Sequence, residues 1–546
     1  MNETVDAVVV GSGAGGGVVA SLLARAGMKT VIMEMGEWTS QQSDSENFLA
    51  GQRSCILTQG PGRDGSYTKA WQKWDNGRNN VVVPNSAAVV GGGTVTYGAM
   101  AWRYMKEDFR LKSTYGEVEG GELYDWPISY DDLEPYYERA EYEIGVSGDN
   151  TGNPFAAPRK KPFPMPAFPY TKQDLLVRDA VLKLGLHPFM CPALRNSVPY
   201  NGRPACLHQR SCVGYACPID AKNGSANTVI PKALKTGNCE LRTNAMVSRI
   251  LTDGSGKATG VEWFDADRGR HVTLAKVIVL AAASTGTARI LLLSKSAKHP
   301  NGFSNSNNLV GAYSHGHWYV EATGYMDESL YTSDGPGVGV AINDFTHHID
   351  GLVGGGTLHT DFSWLPYQFA NGKVRGWGIA HKREVREKFG RLVRVCGPIE
   401  EIPMRDGRCV LDDKKRDYFG IPLVSSLGTP RCPNDAKIAF FMAQQAARIL
   451  EAMGAKEVTQ PRRESYLRQS SIGSAGGQHQ CGTCRMGNDP ATSVADSWGR
   501  LHEADNVYVA DGALQPNMGA FNPVLTIMAC AYRVGDGIVN QWRHGK

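Results

Sequence analysis

Charge of one sign is scarce in this 546-residue chain: 58 lysines and arginines stand against 54 aspartates and glutamates, for a net charge of +4. No basic tract breaks that balance, so the electrostatic footprint of a nucleic-acid-binding protein is missing. Also missing is any run near the ~18 consecutive apolar residues that a membrane-spanning helix needs, and no membrane segment of its own is expected. The N-terminus, "MNETVDAVVVGSG", has no basic region ahead of its short apolar run, unlike a secretory leader. Twelve cysteines are scattered without the density of a disulfide framework, a usage suited to a reducing compartment. A cytoplasmic location is expected, unless a partner subunit carries the chain elsewhere. Internal repeats and low-complexity tracts are absent, and the length corresponds to roughly three or four domain-sized units.

What is plentiful is glycine, 63 residues gathered in short runs that suggest tight turns and close backbone approach to a ligand. The first run follows an apolar, β-branched stretch over Asp6–Val10, read as a buried strand. Gly11, Gly13 and Gly16 stand in GxGxxG spacing, a helix pattern "VVASLLARAG" follows, and a second strand pattern "KTVIMEMG" ends near Glu34. Strand, glycine turn, helix, strand and acid make up a dinucleotide-binding unit. The glycines admit a pyrophosphate at the helix N-terminus, and the acid takes ribose hydroxyls. Ala14 and Met35 flank these contacts. At this point the motif leaves FAD and NAD open, although a strict nicotinamide enzyme usually keeps its binding unit in one block.

Later segments read as further pieces of the same site. "VVGGGTVTYGAMAWR" at 89–103 is glycine-dense and then apolar, as backbone packed on a flat ligand would be. Residues 125–222 are rich in proline and aromatics, with one helix pattern at "YDDLEPYYERAEYEIG". Residues 241–250 and 271–283 return to strand and then helix, and 313–474 are mixed and strand-rich. Near the end stands "GQHQCGTCRMG", residues 477–487, which on its own suits a redox CxxC, a metal-binding fragment, or a loop presenting one histidine as a base. Asn522-Pro523 reads as an N-cap followed by the first helical position, with the positive helix end aimed at the cofactor.

Together, "GSGAGGG", "GGGTVTYGAM", "HQCGTCRMG", "VYVADGALQP" and "NMGAFNPVLT" resemble the glucose–methanol–choline (GMC) oxidoreductases, FAD enzymes that oxidise alcohols. "AWRYMKEDF", "DWPISYDDLEPYYERAE", "RNSVPYNGRPAC" and "CPIDAKNG" are nearest to the catalytic subunits of bacterial gluconate, fructose and FAD-dependent glucose dehydrogenases. The resemblance implies an α/β FAD-binding, Rossmann-like domain of GMC type. It also implies a mixed α+β substrate domain built on an antiparallel sheet. Residues 1–110, 223–312 and 475–546 are assigned to the first, and 111–222 and 313–474 to the second.

The same resemblance implies that His479 of the HxxGT loop is the base, with Asn522 beside it positioning the substrate. The chemistry requires such a pair, because the hydroxyl must lose a proton while its carbon gives hydride to flavin N5. Implied FAD contacts are Gly11, Gly13, Ala14, Gly16, Glu34, Met35, Gly92, Gly93, Thr94, Tyr97, Gly98, Val247, Asp511, Gly512, Asn522, Pro523 and Val524. Some relatives attach FAD through a histidine; the aligned residue here is Thr96, followed by Tyr97, so non-covalent FAD is expected. Cys481 and Cys484 are read as buried structural thiols. Cys206, Cys212 and Cys217 lie where related subunits hold a [3Fe–4S] cluster, for which three thiolates suffice. Their spacing departs from that pattern by one added residue and a single rather than doubled cysteine. The cluster is therefore not favoured, and no other metal site is expected. His315 and His317 in "SHGHW" loosely match an Asp-His pair near the flavin of relatives. Trp364, Trp377, His381, Glu400 and Glu401 are candidate pocket residues. The implied substrate is a sugar, a polyol, or a glycoside or amino-sugar natural product, with O2 or another electron acceptor. The alternatives are a flavin/iron–sulfur electron-transfer subunit of a membrane-associated dehydrogenase complex, served by a partner subunit, and a nicotinamide dehydrogenase.

Overall fold

The run Thr4–Val10 is apolar on both faces because it lies inside a sheet: Val8 pairs in parallel with Val31 on one side and Ile278 on the other. The strands run Cys239–Arg242, Thr30–Met33, Thr4–Val10, Arg270–Leu280, all parallel. Arg270–Leu280 is 11 residues long and serves two partners along its far edge. Its first half pairs antiparallel with Ala258–Phe264, and its last residues pair in parallel with Val507–Val509; Met246–Thr252 completes the sheet. In this computed structural model the chain is described over residues 4–38, 72–75, 81–82, 87–210, 212–330, 335–360, 364–417, 419–427, 431–468 and 479–544. Gly477 and Gln478 of the histidine loop lie outside the described residues.

The helix Ala14–Arg25 packs across this sheet beneath Val524–His544. A Cβ at Gly15 would sit 1.6 Å from the Ala510 carbonyl oxygen, and one at Gly16 would sit 2.0 Å from that of Gly11. Both glycines therefore let the helix lie directly on the strand ends. The predicted helix over "YDDLEPYYERAEYEIG" is present as Tyr130–Ala140, closed at its start by a capping box between Ser129 and Asp132. It widens into a π turn at Glu141–Gly145, which sets Glu141 against the buried Arg103 at 2.7 Å. Tyr137 shares a 2.8 Å hydrogen bond with Thr526, tying this helix to Val524–His544.

A second sheet is wholly antiparallel, in the order His317–Tyr325, Leu392–Glu400, Leu358–His359, Val340–Ile342, Pro188–Met190. One face is covered by the 21-residue helix Pro433–Met453, whose Ile438, Met442 and Ala446 pack with Val320, Ala322, Val393 and Val395. Strand alternation puts His317 and Tyr319 on the opposite face. A third sheet joins Arg408–Arg416, Pro422–Leu427, Gln72–Asp75 and Val81–Val82. Gln72–Asp75 pairs in parallel with Pro422–Leu427, so two segments far apart in the sequence share a sheet. Among the described residues no helix is long and apolar enough to cross a membrane.

The core predicts its own weak points. Leu23 is fully buried in Ala14–Arg25, so Leu23→Ala should destabilise the fold by about 2–5 kcal/mol, through lost apolar contact and the cavity left behind. Urea denaturation followed by circular dichroism should show a lower midpoint.

Candidate active site

The carboxyl ends of the parallel strands and the uncovered face of the antiparallel sheet enclose a cavity of about 920 Å³. Its floor is the first glycine turn. Gly11 leaves the strand at φ +96°, where a Cβ would meet the Ala281 carbonyl oxygen at 2.3 Å, so no side chain is tolerated. Gly13, by contrast, faces open space. The nearest atom to a Cβ there is Gly92 Cα at 4.0 Å, and Gly93 and Gly98 have nothing within 4 Å. These glycines form a cradle wide enough for a ligand to approach the backbone.

Glu34 lies beside the cradle with both oxygens engaged. One accepts from Ser12 N at 3.1 Å and Ser12 Oγ at 2.5 Å, and the other from Gly36 N at 2.9 Å. Burial raises its pKa, against the pull of those hydrogen bonds. Asp511 is similar: it accepts from Thr287 Oγ1 at 2.6 Å and Ala513 N at 2.8 Å, and burial lifts it to about 6. Ala14, Met35, Gly92, Thr94, Tyr97, Val247, Gly512, Pro523 and Val524 also line the cavity. Gly16 lies behind this wall, packed against the strand end, where a Cβ would meet the Gly11 carbonyl oxygen at 2.0 Å. Thr96 is buried in the wall. The cradle, the acceptor-rich acids and the N-terminus of Val524–His544 all suit a dinucleotide.

At the far end His479 and Asn522 meet, with the Asn522 amide nitrogen 3.2 Å from His479 Nε2. The expectation that Asn522 caps the last helix is corrected here. Its Oδ1 accepts from Trp102 Nε1 at 2.9 Å and its Nδ2 donates to Tyr319 Oη at 2.8 Å, so the amide is spent on side chains. The Pro523 carbonyl makes the first helical bond instead, from Ile527 N at 2.8 Å. His479 stands at φ +68°, a left-handed conformation that a non-glycine residue adopts under constraint and that is frequent at functional sites.

His317 reaches the same point, with its Nδ1 2.9 Å from His479 Nδ1. Burial pushes its pKa down to about 3. His315 does not reach it: its Nδ1 is 2.7 Å from the Tyr313 carbonyl oxygen. Sequence reasoning assigned no role to Trp102, Tyr319 or Ser12. The alternation in "HWYVEATGY" was a usable signal for His317 and Tyr319, since residues two apart share a strand face. Of the candidate pocket residues, Trp364 lines the cavity. Trp377 is 90% exposed, His381 bonds the Ala370 carbonyl at 2.9 Å on an outward helix, and Glu400 and Glu401 are buried outside the wall.

Cys481 and Cys484 are free and fully buried, and burial raises both thiols well above the usual range. Cys206, Cys212 and Cys217 are also free. The sulfur of Cys212 donates to the Pro336 carbonyl at 3.4 Å, while that of Cys206 accepts from His208 N at 3.4 Å. Among the described residues no three His, Cys, Asp or Glu side chains form a group able to hold a metal. Cys212 and Cys217 lie near enough to Cys206 for their charges to add to the burial that raises its thiol pKa.

Profiles of the GMC oxidoreductase family match residues 171–319 and 403–531. The chain is 30% identical to the fructose dehydrogenase large subunit of Gluconobacter japonicus over 100% of both chains. This chain belongs to the GMC oxidoreductases. It is also 31% identical to 6'''-hydroxyparomomycin C oxidase of Streptomyces lividus, across 98% of this chain and 91% of that one. Against 2-methyl-1,2-propanediol dehydrogenase of Mycolicibacterium austroafricanum the identity is 30%, over 98% and 95%. Among solved structures, a variant of Aspergillus oryzae formate oxidase superposes with TM-score 0.68 at 15% identity, covering 100% of both chains. Pyridoxine 4-oxidase from Mesorbium loti gives 0.65 at 17%, covering 99% of both. As a GMC oxidoreductase the chain is an FAD-dependent enzyme acting on CH–OH groups.

Gly13→Val should yield folded protein with little FAD, because the side chain would fill the cradle. Flavin absorbance per chain after desalting, compared with a wild-type circular dichroism spectrum, measures this.

Proposed function

We propose that this GMC oxidoreductase oxidises a secondary or primary hydroxyl of a sugar, polyol or amino-sugar glycoside, with His479 as base and Asn522 as positioning donor. The observation that carries the reading is the meeting of His479 Nε2 and Asn522 Nδ2, 3.2 Å apart, on the wall of the cavity that the glycine turn opens. The named activities of the relatives support the substrate class: fructose for one, a paromomycin derivative for another, a small diol for a third.

FAD, when bound, accepts the hydride that leaves the carbinol carbon. The chain's residues do the rest. Glu34 and the turn at Gly11–Gly13 would hold the nucleotide end, where the positive terminus of the helix Ala14–Arg25 favours a pyrophosphate. Asp511 and Gly512 would hold the middle of the cofactor, and Gly92, Gly93, Gly98 and the start of Val524–His544 would take its ring end. Thr96 offers no imidazole for attachment, so the cofactor is held non-covalently. At the reacting end Asn522 donates to the substrate oxygen and keeps its carbon in place, while His479 Nε2 receives the hydroxyl proton. O2 or another acceptor would be needed to take up the electron pair after turnover.

Acid precipitation should release the flavin intact into the supernatant; yellow colour kept by the pellet would show a covalent bond. His479→Ala should retain FAD, since the cradle and Asp511 are untouched. Its anaerobic flavin reduction by substrate should fall by at least ~10²-fold, the low end for loss of a positioned acid–base group. In the wild type that rate should rise with pH through one ionisation, because only the neutral imidazole accepts a proton. Stopped-flow reduction across pH with a panel of sugars and polyols tests both, and a near-wild-type rate for His479→Ala would remove it as the base.

A further inference from the structure

His317 opens the strand His317–Tyr325 with both ring nitrogens occupied. Its Nε2 lies 2.8 Å from the Gly519 carbonyl oxygen and its Nδ1 lies 2.9 Å from His479 Nδ1. A carbonyl oxygen can only accept, so the His317 proton sits on Nε2. Burial keeps the ring neutral, with a pKa pushed down to about 3, and a neutral imidazole carries one proton. Its Nδ1 is therefore a bare acceptor. The partner across the 2.9 Å contact must then be an N–H, which places the His479 proton on Nδ1.

The opposite nitrogen of His479 is constrained from its own side. Indole N–H only donates, so Trp102 Nε1, 2.9 Å from Asn522 Oδ1, fixes that amide with its nitrogen outward. The Asn522 nitrogen then donates toward His479 Nε2 at 3.2 Å, which requires a lone pair there. Two independent chains of donors and acceptors, one ending at Gly519 and one at Trp102, demand the same tautomer of one ring. The rings of His317 and His479 stand edge to face, 5.0 Å between centroids at 82°, as a bond between ring nitrogens allows.

We propose that His317 is a positioning residue that selects the catalytic tautomer of His479, holding Nδ1 protonated and Nε2 bare toward the substrate. The proposal rests on the reading of His479 as base. When the substrate hydroxyl gives its proton to Nε2, His479 becomes an imidazolium whose Nδ1–H still points at His317, and that hydrogen bond becomes charge-assisted. A neutral partner stabilises the cation less than a carboxylate would, so the ring returns readily to its basic form. Groups facing His317 from the neighbouring elements are consistent with this. Glu400 stands opposite on the paired strand, where burial raises its carboxyl well above the usual range. His315 is held neutral by burial, at about 4. Asp108, behind Gly519, is paired with His347 at 2.9 Å.

The test is anaerobic flavin reduction across pH for His317→Asn, His317→Leu, His317→Asp and His479→Ala, each with its flavin content measured. Asparagine places an oxygen near Nδ1 and can still accept from His479, so His317→Asn should stay within about tenfold of wild type with the acid limb in place. Leucine has no acceptor: the limiting rate should fall by at least ~10-fold and further than for asparagine, with half-saturation by substrate little changed. Aspartate stabilises the imidazolium, so its acid limb should move to higher pH, a shift that a space-filling role cannot produce. If leucine prevents folding, the aspartate limb decides. Equal rates for asparagine and leucine together with an unmoved limb for aspartate would overturn the proposal. A wild-type rate in His479→Ala would instead overturn the assignment of the base, and the two failures are thereby separate.

Discussion

The site hangs on one clamp of backbone hydrogen bonds. Residues 481–486 are pinned between two other segments. Cys481 N bonds the His315 carbonyl at 2.9 Å, Cys484 N that of Ala513 at 3.0 Å, and Met486 N that of Leu514 at 2.8 Å. The fit leaves no room at Gly482, which has φ +89° and where a Cβ would lie 2.2 Å from the Tyr313 carbonyl oxygen. Thr483 Oγ1 ties the loop to the helix Ser284–Leu293 through the Ser284 carbonyl at 2.7 Å. The glycine and threonine of the HxxGT loop are thus packing requirements, and the histidine two residues ahead of the clamp is what they hold out. The two cysteines are the inward-facing residues of the same clamp, which is why both thiols are buried.

The two ends of the cavity are set up by opposite electrostatic means. At the nucleotide end, Glu34 and Asp511 are carboxylates whose burial works against charge while backbone and hydroxyl donors work for it. They are fixed hydrogen-bond acceptors close to helix N-termini, whose positive ends favour anions. At the reacting end burial lowers the pKa of His315 and His317 and raises that of Glu400, disfavouring the charged form in each case. The donors that remain are neutral and their directions are set by Trp102 and Gly519. A proton acceptor in such surroundings keeps its lone pair available.

Much of this could be read from the chain itself. Strand, glycine turn, helix and acid follow from local pattern, because a βαβ unit is contiguous and its glycines answer to nearby backbone. That Gly11, Gly13, Glu34, Asp511, His479 and Asn522 gather around one cavity was legible in that way or through family resemblance. The meaning of Gly16 was not, since a GxGxxG string does not say which glycine faces the ligand and which faces a strand. Nor was the use of the Asn522 amide: an Asn-Pro pair before a helix is a good local cap, but local preference yields when distant donors and acceptors compete for the same group.

Sequence alone therefore determined the family and named the glycine turn, His479 and Asn522 that line its cavity. Tertiary structure decided what those two residues touch. His317 and His479 are 162 positions apart, and Trp102 and Asn522 are 420 apart. No local periodicity records such pairs. Their hydrogen bonds exist only once the antiparallel sheet is laid against the mouth of the parallel one, and a ring's tautomer is set by its partners, not by its own residue type.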